Sequence, residues 1–491
     1  MLKIPSEQNG SLLMPEEVKT LRLWQMIYLG KGASFIRQII HAIISIALRL
    51  FFRRIEAVNV ERVPQTGALL FVLNHPNGLV DPALVFVSMP RRVSFLAKST
   101  LYDNPVGGFL LRLFEILPVY RRIDADAKSE SNAVTFDNCF DLLRRGRCIA
   151  IFPEGISHDQ PQIQKIKTGA ARIALGSVSV PPDSRSGFPL TGELLDKGLR
   201  IVPVGLYYTS KTSFRSEVLI RYGEVFEVEP IELDENGEPP RDAVVALTKK
   251  IENSLREVTL NLATAGELDA VLKAEALFSS VFENLIFKQT LTQTVGRLQR
   301  LAARYALLER NDPQKMGDLN AKITRYEDSL KTSGLTTESL SVLQHPTWYV
   351  FRYLVLRIIF LTVLAPFAIV GAMVHSPAYF FSNLIGRLFS AHDTDVAGSS
   401  PTIAAAVGLM PITWLFVALI IWYFFGWQIA LISIPVTIIC GYIALRSSET
   451  VIDMRVWLTS AWLLFRQRAL FLRLLVQRES LHKEISEIVE D

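Results

Sequence analysis

Nine consecutive residues, Asn74-His75-Pro76-Asn77-Gly78-Leu79-Val80-Asp81-Pro82, hold the side chains best suited to chemistry in this 491-residue chain. An imidazole takes and returns a proton near neutrality, and a carboxylate beside it fixes its tautomer and stabilises the imidazolium that forms. The stretch offers a histidine and an aspartate but no obvious nucleophile. That pairing suits direct attack by a substrate hydroxyl on an acyl donor, with His75 as general base and no covalent enzyme intermediate. The plain alternative is a helix-capping aspartate with a packed histidine beside it.

The flanks say how such a pair would be held. Residues 68–73 form an apolar run that reads as a buried strand, and residues 83–89 read as the start of a helix. A strand-to-helix turn with Pro and Gly can hold side chains in a fixed pose at a sheet edge. From about residue 55 to 230, short apolar runs alternate with helical stretches. Strands are expected over 68–73, 93–97, 116–119, 148–152, 201–207 and 218–222, and helices over 105–114, 129–145 and 168–178. This alternation predicts an α/β domain whose central sheet is covered by helices, with ligands beyond the strand ends.

Three further stretches could serve the same site. Leu117-Pro118-Val119-Tyr120-Arg121-Arg122 ends a strand with two guanidiniums, each able to fork onto phosphate oxygens, or simply solvated. Ile151-Phe152-Pro153-Glu154-Gly155-Ile156-Ser157-His158 puts an acid and a glycine at a strand end, and Lys165, Lys167 and Gly169 follow. A turn accounts for Pro153 and Gly155, though less easily for Glu154 directly after an apolar strand. Ile201-Val202-Pro203-Val204-Gly205 is an apolar strand broken by Pro and Gly, which points to an edge or to close approach of a ligand.

In this order the four stretches resemble the glycerolipid acyltransferase superfamily, over roughly residues 60–225. Its Asn-His motif with a following Asp is matched by Asn74, His75 and Asp81, and its Ile-Pro-Val-x-Arg strand by Leu117, Pro118, Val119 and Arg121. Its Phe-Pro-Glu-Gly is matched without change by Phe152, Pro153, Glu154 and Gly155, and its Val-Pro strand by Val202 and Pro203. Lys98 and Lys167 also fall where the family tends to carry a lysine. Three departures narrow the subgroup. Five residues, Pro76 to Val80, separate His75 from Asp81 where most members have four; Ser157-His158-Asp159 replaces the common continuation; and Glu115 stands where a Gly is usual. The spacing and the Ser-His-Asp continuation look like the fungal type glycerol-3-phosphate/dihydroxyacetone-phosphate acyltransferases and their bacterial relatives, which also carry a long C-terminal membrane part.

The resemblance implies a role for each matched residue. His75 would deprotonate the acceptor hydroxyl and Asp81 would orient it. Arg121 would bind the acceptor phosphate, Glu154 and Gly155 would shape the acceptor pocket, and Val202 and Pro203 would line the acyl-donor side. Lys98 and Lys167 would add positive charge for the phosphate or for coenzyme A. The acyl donor, acyl coenzyme A or acyl carrier protein, is a substrate, so no cofactor is expected.

Outside this domain the composition changes. The chain is 49% hydrophobic with a mean hydropathy of +0.27, which makes membrane association the first expectation. Residues 1–54 begin without the order of a signal peptide; residues 17–54 look helical, and the arginines of the mostly apolar stretch 35–52 suggest an interfacial position, with packing on the catalytic domain as the alternative. Residues 231–345 are charged and helical and carry no chemical motif. Residues 346–445 form a membrane region of two or three apolar segments, and 446–491 a basic amphipathic tail. If all three segments crossed, the tail would end opposite the catalytic domain, against the positive-inside tendency. The segment over 358–374, with Pro366, is therefore expected to be re-entrant or bent back, leaving two true spans and both ends in the cytoplasm.

Three cysteines, Cys139, Cys148 and Cys440, have neither metal-site nor disulfide spacing, so the catalytic part is expected to face the cytoplasm, at the plasma membrane of a bacterium or the endoplasmic reticulum of a eukaryote. No metal site is implied, because His75 has no second His or Cys at ligand spacing, and no nucleic-acid partner is expected. Of the other histidines, His158 stays open as a site residue because it lies four residues beyond Glu154. A Gly-x-Ser-x-Gly elbow, a P-loop and a dinucleotide fingerprint are all missing, which leaves serine hydrolysis, nucleotide hydrolysis and hydride transfer without support. The leading expectation is a membrane acyltransferase acting on glycerol 3-phosphate or dihydroxyacetone phosphate to give lysophosphatidate for phospholipid synthesis. The alternatives are a lysophosphatidate acyltransferase and a catalytically inactive membrane scaffold.

Overall fold

A strand such as Ala68–Leu73, apolar at every position, can satisfy its backbone only with a neighbour on each side and can shelter both faces only under helices. A computed structural model, which describes residues 18–29, 35–102, 108, 116–119, 129–179, 198–235, 237–280, 290–335, 347–390 and 400–490, gives it both. In chain order the strands are β1 (Val18–Thr20), β2 (Arg54–Val58), β3 (Ala68–Leu73), β4 (Val93–Lys98), β5 (Leu117–Val119), β6 (Cys148–Ile151), β7 (Leu199–Tyr208), β8 (Glu217–Tyr222) and β9 (Phe226–Val228). They form one mixed sheet in the order β1-β2-β8-β7-β3-β6-β4-β5, with β9 also paired to β7. Strands β3, β4, β5, β6 and β7 run parallel, so their carboxyl ends share one edge.

Side-chain alternation along β3 divides the core in two. Leu69, Phe71 and Leu73 pack with α2 (Phe35–Phe51) and α3 (Val80–Ser88) on one face. Ala68, Leu70 and Val72 pack with α4 (Ser129–Arg144), α5 (Gly169–Ser179) and α6 (Arg241–Val258) on the other. The helix expected over 105–114 lies almost wholly outside the described residues.

Two readings of β7 are corrected. Pro203 does not mark an edge: β7 is central, and Pro203 falls between the span paired to β9 (Leu199 to Ile201) and the span paired to β8 (Val204 to Tyr208). Its missing N–H thus leaves no ladder bond unmade. Gly205 makes room for no ligand either, since a side chain there would collide with the carbonyl of Val258 at the end of α6.

The N-terminal part is less helical than its composition suggests. Val18–Thr20 is a strand, antiparallel to β2, and too short to show alternation; α1 (Leu23–Leu29) follows it. Helix α2 is amphipathic in an inverted sense. Arg37, His41 and Ser45 are buried, and the Arg37 guanidinium and the His41 ring both lie against Phe86 of α3. Phe35, Ile36, Ile39, Ile43, Ile46 and Leu50 are exposed. Arg37 is thus turned into the domain, and the surface of α2 is mainly isoleucine.

Helices α7 (Ala265–Ser280), α8 (Leu291–Asn311) and α9 (Pro313–Thr332) share a separate core with α13 (Arg468–Glu490), built from residues such as Leu277, Leu298, Leu319, Phe471 and Ile485. The C-terminal helix is therefore packed into the helical region. Arg221 of β8 donates to Gln299 of α8 at 2.6 Å, which ties this region to the sheet.

Between them run α10 (Thr347–Ser390), α11 (Ser400–Phe425) and α12 (Trp427–Arg466). Each contains a stretch long and apolar enough to cross a membrane, over Phe351–Leu388, Pro401–Phe425 and Trp427–Arg455. Helix α10 is continuous through Pro366 and Pro377, so no break in the helix marks a re-entrant turn. Its contacts still do not run steadily along the other two. Near its start Arg357 donates to Thr450, near its middle Gly371 and His375 meet Cys440, Gly441 and Trp414, and near its end Gly386 meets Thr402. Thr402 and Thr450 stand equally far along the chain from the Gly426 turn that joins α11 to α12, whereas Trp414 and Cys440 are nearer to it.

Leu84 of α3 is fully buried between α2 and the sheet. Leu84→Ala is expected to cost about 2–5 kcal/mol of stability, read as a lowered unfolding midpoint in detergent, whereas Ile43→Ala on the exposed face of α2 should leave that midpoint within about 0.5 kcal/mol of the parent.

Candidate active site

The carboxyl edge of the parallel strands gathers the chemistry-bearing residues. His75 stands two residues beyond β3, Glu154 three beyond β6, and Tyr208 closes β7. Asn74 fixes the chain as it leaves β3: its amide donates to Leu206 O at 3.0 Å and its carbonyl accepts from Leu206 N at 2.7 Å. The turn that follows enters α3, whose first turn holds Asp81.

His75 Nδ1 lies 2.9 Å from Asp81 Oδ2. Asp81 is fully buried and ionised carboxylates accept only, so Nδ1 carries the hydrogen and Nε2 is left as the basic nitrogen. The same Oδ2 accepts from the Asn77 backbone N–H at 2.7 Å, and Oδ1 accepts from the Tyr208 hydroxyl at 2.5 Å. Burial, with the Asp81 charge beside it, pushes the Tyr208 phenol well above its ordinary value, so it stays a donor. Phe152 stacks on the imidazole at 4.1 Å and 18°, leaving the His75 side chain 18% exposed.

A second buried carboxylate joins the next loop to this one. Glu154 Oε1 accepts from the His75 backbone N–H at 3.0 Å, and Oε2 accepts from Gln164 N at 2.7 Å and bonds to His158 Nε2. His158 N donates to His75 O at 3.2 Å, and Gly78 N donates to Ser157 Oγ at 2.8 Å. Gly155 has φ +70°, and a side chain there would strike the Lys167 ammonium, so the glycine admits that charge to the loop.

The residues singled out by sequence meet different fates. His75, Asp81, Glu154, Gly155 and Lys167 come together at one edge. Lys98 ends β4 at the same edge, but its side chain lies outside the described residues, as does Arg121 entirely. Val202 and Pro203 do not reach the site: they pair with Phe71 and Val72 and are buried in the sheet, because β7 runs on past them to Tyr208. Tyr208 and Asn77 escaped the sequence reading. A tyrosine closing an apolar strand looks like core, and Asn77 binds Asp81 through its backbone, which no side-chain pattern reports. The buried thiols of Cys139 and Cys148 are pushed up by burial, to about 12 and about 11, and are poor nucleophiles.

Comparison with known proteins adds names to this geometry. Residues 54–206 match the family model described as Acyltransferase, and residues 280–491 the one described as Glycerol-3-phosphate acyltransferase 2 C-terminal domain. Glycerol-3-phosphate O-acyltransferase 2 of Saccharomyces cerevisiae is 30% identical over 267 residues, which are 54% of this chain and 33% of that protein. Glycerol-3-phosphate O-acyltransferase 1 of the same yeast is 26% identical over 470 residues, covering 77% of this chain and 59% of that one. The chain thus aligns with less than two thirds of the length of either. The chloroplastic 1-acyl-sn-glycerol-3-phosphate acyltransferase LPAT1 of Arabidopsis thaliana is 24% identical over 149 residues, 30% of this chain and 39% of that one.

Tyr208→Phe should leave Asp81 Oδ1 buried without its donor, at a cost of about 1–3 kcal/mol. Because the folded-state value of Tyr208 is raised, its contribution is whole below the ordinary tyrosine value of about 10 and is lost as pH climbs through the folded-state value. Unfolding midpoints measured from pH 7 to 11 should therefore fall less steeply at the alkaline end in the variant than in the parent.

Proposed function

Because this chain belongs to the acyltransferase family and ends in a C-terminal domain of the glycerol-3-phosphate acyltransferase 2 type, we propose that it transfers a fatty acyl group from a thioester to a hydroxyl of glycerol 3-phosphate or dihydroxyacetone phosphate. The observation that carries the chemistry is the His75 imidazole, held by Asp81 through Nδ1 with Nε2 as its basic nitrogen, on a side chain 18% exposed. In this reading Nε2 takes the proton of the acceptor hydroxyl as its oxygen bonds to the thioester carbonyl carbon. The tetrahedral intermediate then expels the thiolate, which takes the proton back from the imidazolium. An ester and a thiol result, and the imidazole is neutral again.

Glu154 shapes the acceptor pocket by holding the His75 backbone, Arg121 binds the acceptor phosphate, and Gly155 admits Lys167, whose ammonium, with that of Lys98, serves the same phosphate or those of coenzyme A. Support for a water-soluble acceptor comes from the extent of the likeness. The yeast relatives named for glycerol 3-phosphate align over 54% and 77% of this chain, and the LPAT1 relative over 30%. Lysophosphatidate as acceptor is the second reading, supported by the relatives of that name.

We also propose that α11 and α12 cross the bilayer while α10 enters and returns. Both ends of α10 touch the end of the α11–α12 pair that lies far from Gly426, and its middle touches them nearer the turn. Two crossings leave α13 on the same side as α7 and α9, as their shared core requires; three would not. A reporter fused after residue 491 should read the same side of the membrane as one fused before residue 1, and opposite sides would refute the arrangement.

Acyl transfer by the purified protein in liposomes tests the activity, with palmitoyl coenzyme A offered alongside labelled glycerol 3-phosphate, dihydroxyacetone phosphate or lysophosphatidate. Product from a water-soluble acceptor is expected, falling about 10²–10⁴-fold in His75→Ala and by a comparable factor in Asp81→Asn. Acylation of lysophosphatidate alone would favour the second reading. No product with either coenzyme A or carrier-protein thioesters would sink both.

A further inference from the structure

Residues 209–216, between β7 and β8, touch both the candidate active site and the membrane helices. At the inner end, Lys211 O accepts from the Asn77 side-chain amide at 3.2 Å, and Asn77 N donates to Asp81. Lys211 Nζ donates to Asp159 at 2.5 Å. At the outer end, Arg215 Nε donates to Glu449 of α12 at 2.5 Å, and its side chain also donates to Leu50 O at the end of α2 at 2.9 Å. Phe214 packs edge-on against Tyr379 of α10 at 5.8 Å and against Phe51 of α2 at the same distance. The Arg215 and Glu449 side chains are only 15% and 14% exposed.

The backbone supports a built joint. Arg215 has φ +66°, a conformation that side chains other than glycine adopt at a cost and that surrounding contacts must impose. The imposing contacts are visible: Arg215 N donates to Phe51 O at 2.7 Å, and Ser216 N to Ser213 O at 3.2 Å. Within the loop Ser210 Oγ donates to Ser213 Oγ at 2.8 Å. Glu217 N donates to Thr209 Oγ1 at 2.9 Å, closing the base of the loop independently of Arg215.

Building on the proposed acyl transfer, we infer that Arg215 and Glu449 are positioning residues that hold the His75–Asp81 site in one register against the membrane helices, so that an acyl chain seated in the bilayer presents its thioester to His75. The pair touches no reacting atom. A desolvated ion pair between two parts of a chain is a weak source of stability, yet it disfavours every arrangement that leaves the Arg215 charge buried without Glu449, which itself is also held by Arg446 at 2.9 Å. A donor too short to be seated in the bilayer does not depend on that register.

The full-length protein in liposomes tests this with two donors, palmitoyl and butyryl coenzyme A, in the parent, Arg215→Ala, the milder Glu449→Gln, and the double variant. Each single variant should lower kcat/KM for palmitoyl transfer by about 10- to 100-fold, the scale set by misplacing a reacting group by about 1 Å. Butyryl transfer should stay within about threefold, and the double variant should lose no more than the worse single one, as expected of two ends of one contact. Hydrogen exchange of residues 209–216, which needs no activity, should quicken in both single variants. Equal loss with both donors, additive losses, or unchanged exchange would each overturn the inference. A parent that transfers from neither donor, with exchange quickened as expected, would instead count against the acyl-transfer reading and leave the joint standing.

Discussion

The arrangement depends on a carboxylate that has left water. Asp81 is fully buried, and an ionised carboxylate in such a place is tolerable only if its oxygens are hydrogen-bonded. Its three donors come from different parts of the chain: His75 from the end of β3, Asn77 from the turn, and Tyr208 from the end of β7. Satisfying Asp81 therefore requires β3 and β7 to be neighbours in register, which the pairing of Leu73 with Val204 supplies. The fold and the pose of the imidazole are in this sense one constraint.

Glu154 repeats the device one strand away. Its oxygens are occupied by the chain's own donors, two of them backbone N–H groups, so the loop after β6 is pinned to the turn after β3. This recasts an acid that, read alone, looks like a substrate ligand. A carboxylate with both oxygens engaged by the protein fixes the distance between the His75 backbone and the loop that carries Gly155 and Lys167.

Sequence legibility followed the range of each interaction. The His75–Asp81 pair and Phe152-Pro153-Glu154-Gly155 could be read because short spacings across one turn carry their meaning. The alternation of apolar runs revealed six of the nine described strands; β1, β2 and β9 escaped because three to five residues beside helical or turn-rich stretches show no period. Tyr208 and Arg215 escaped for a different reason. Their partners, Asp81 and Glu449, are distant in sequence, and nothing local separates a tyrosine with a buried partner from one that merely fills space. Helix α2 was legible as an apolar helix with arginines along it but not in which way they face, since arginines ordinarily mark the outer face and here Arg37 lies over Phe86.

The inverted face of α2 follows from what surrounds it. An exposed row of isoleucines is costly against water and costs nothing against lipid. The end of α2 is tied by Arg215 to α12, and Ile403 of α11 packs against the core that α2 helps to cover. The apolar outer surfaces of α2 and of the three long helices therefore belong to one connected assembly, and a bilayer that receives the long helices is at hand for α2. The edge that carries His75 and Asp81 is joined to that surface through residues 209–216, which bind Asn77 at one end and α2 and α12 at the other.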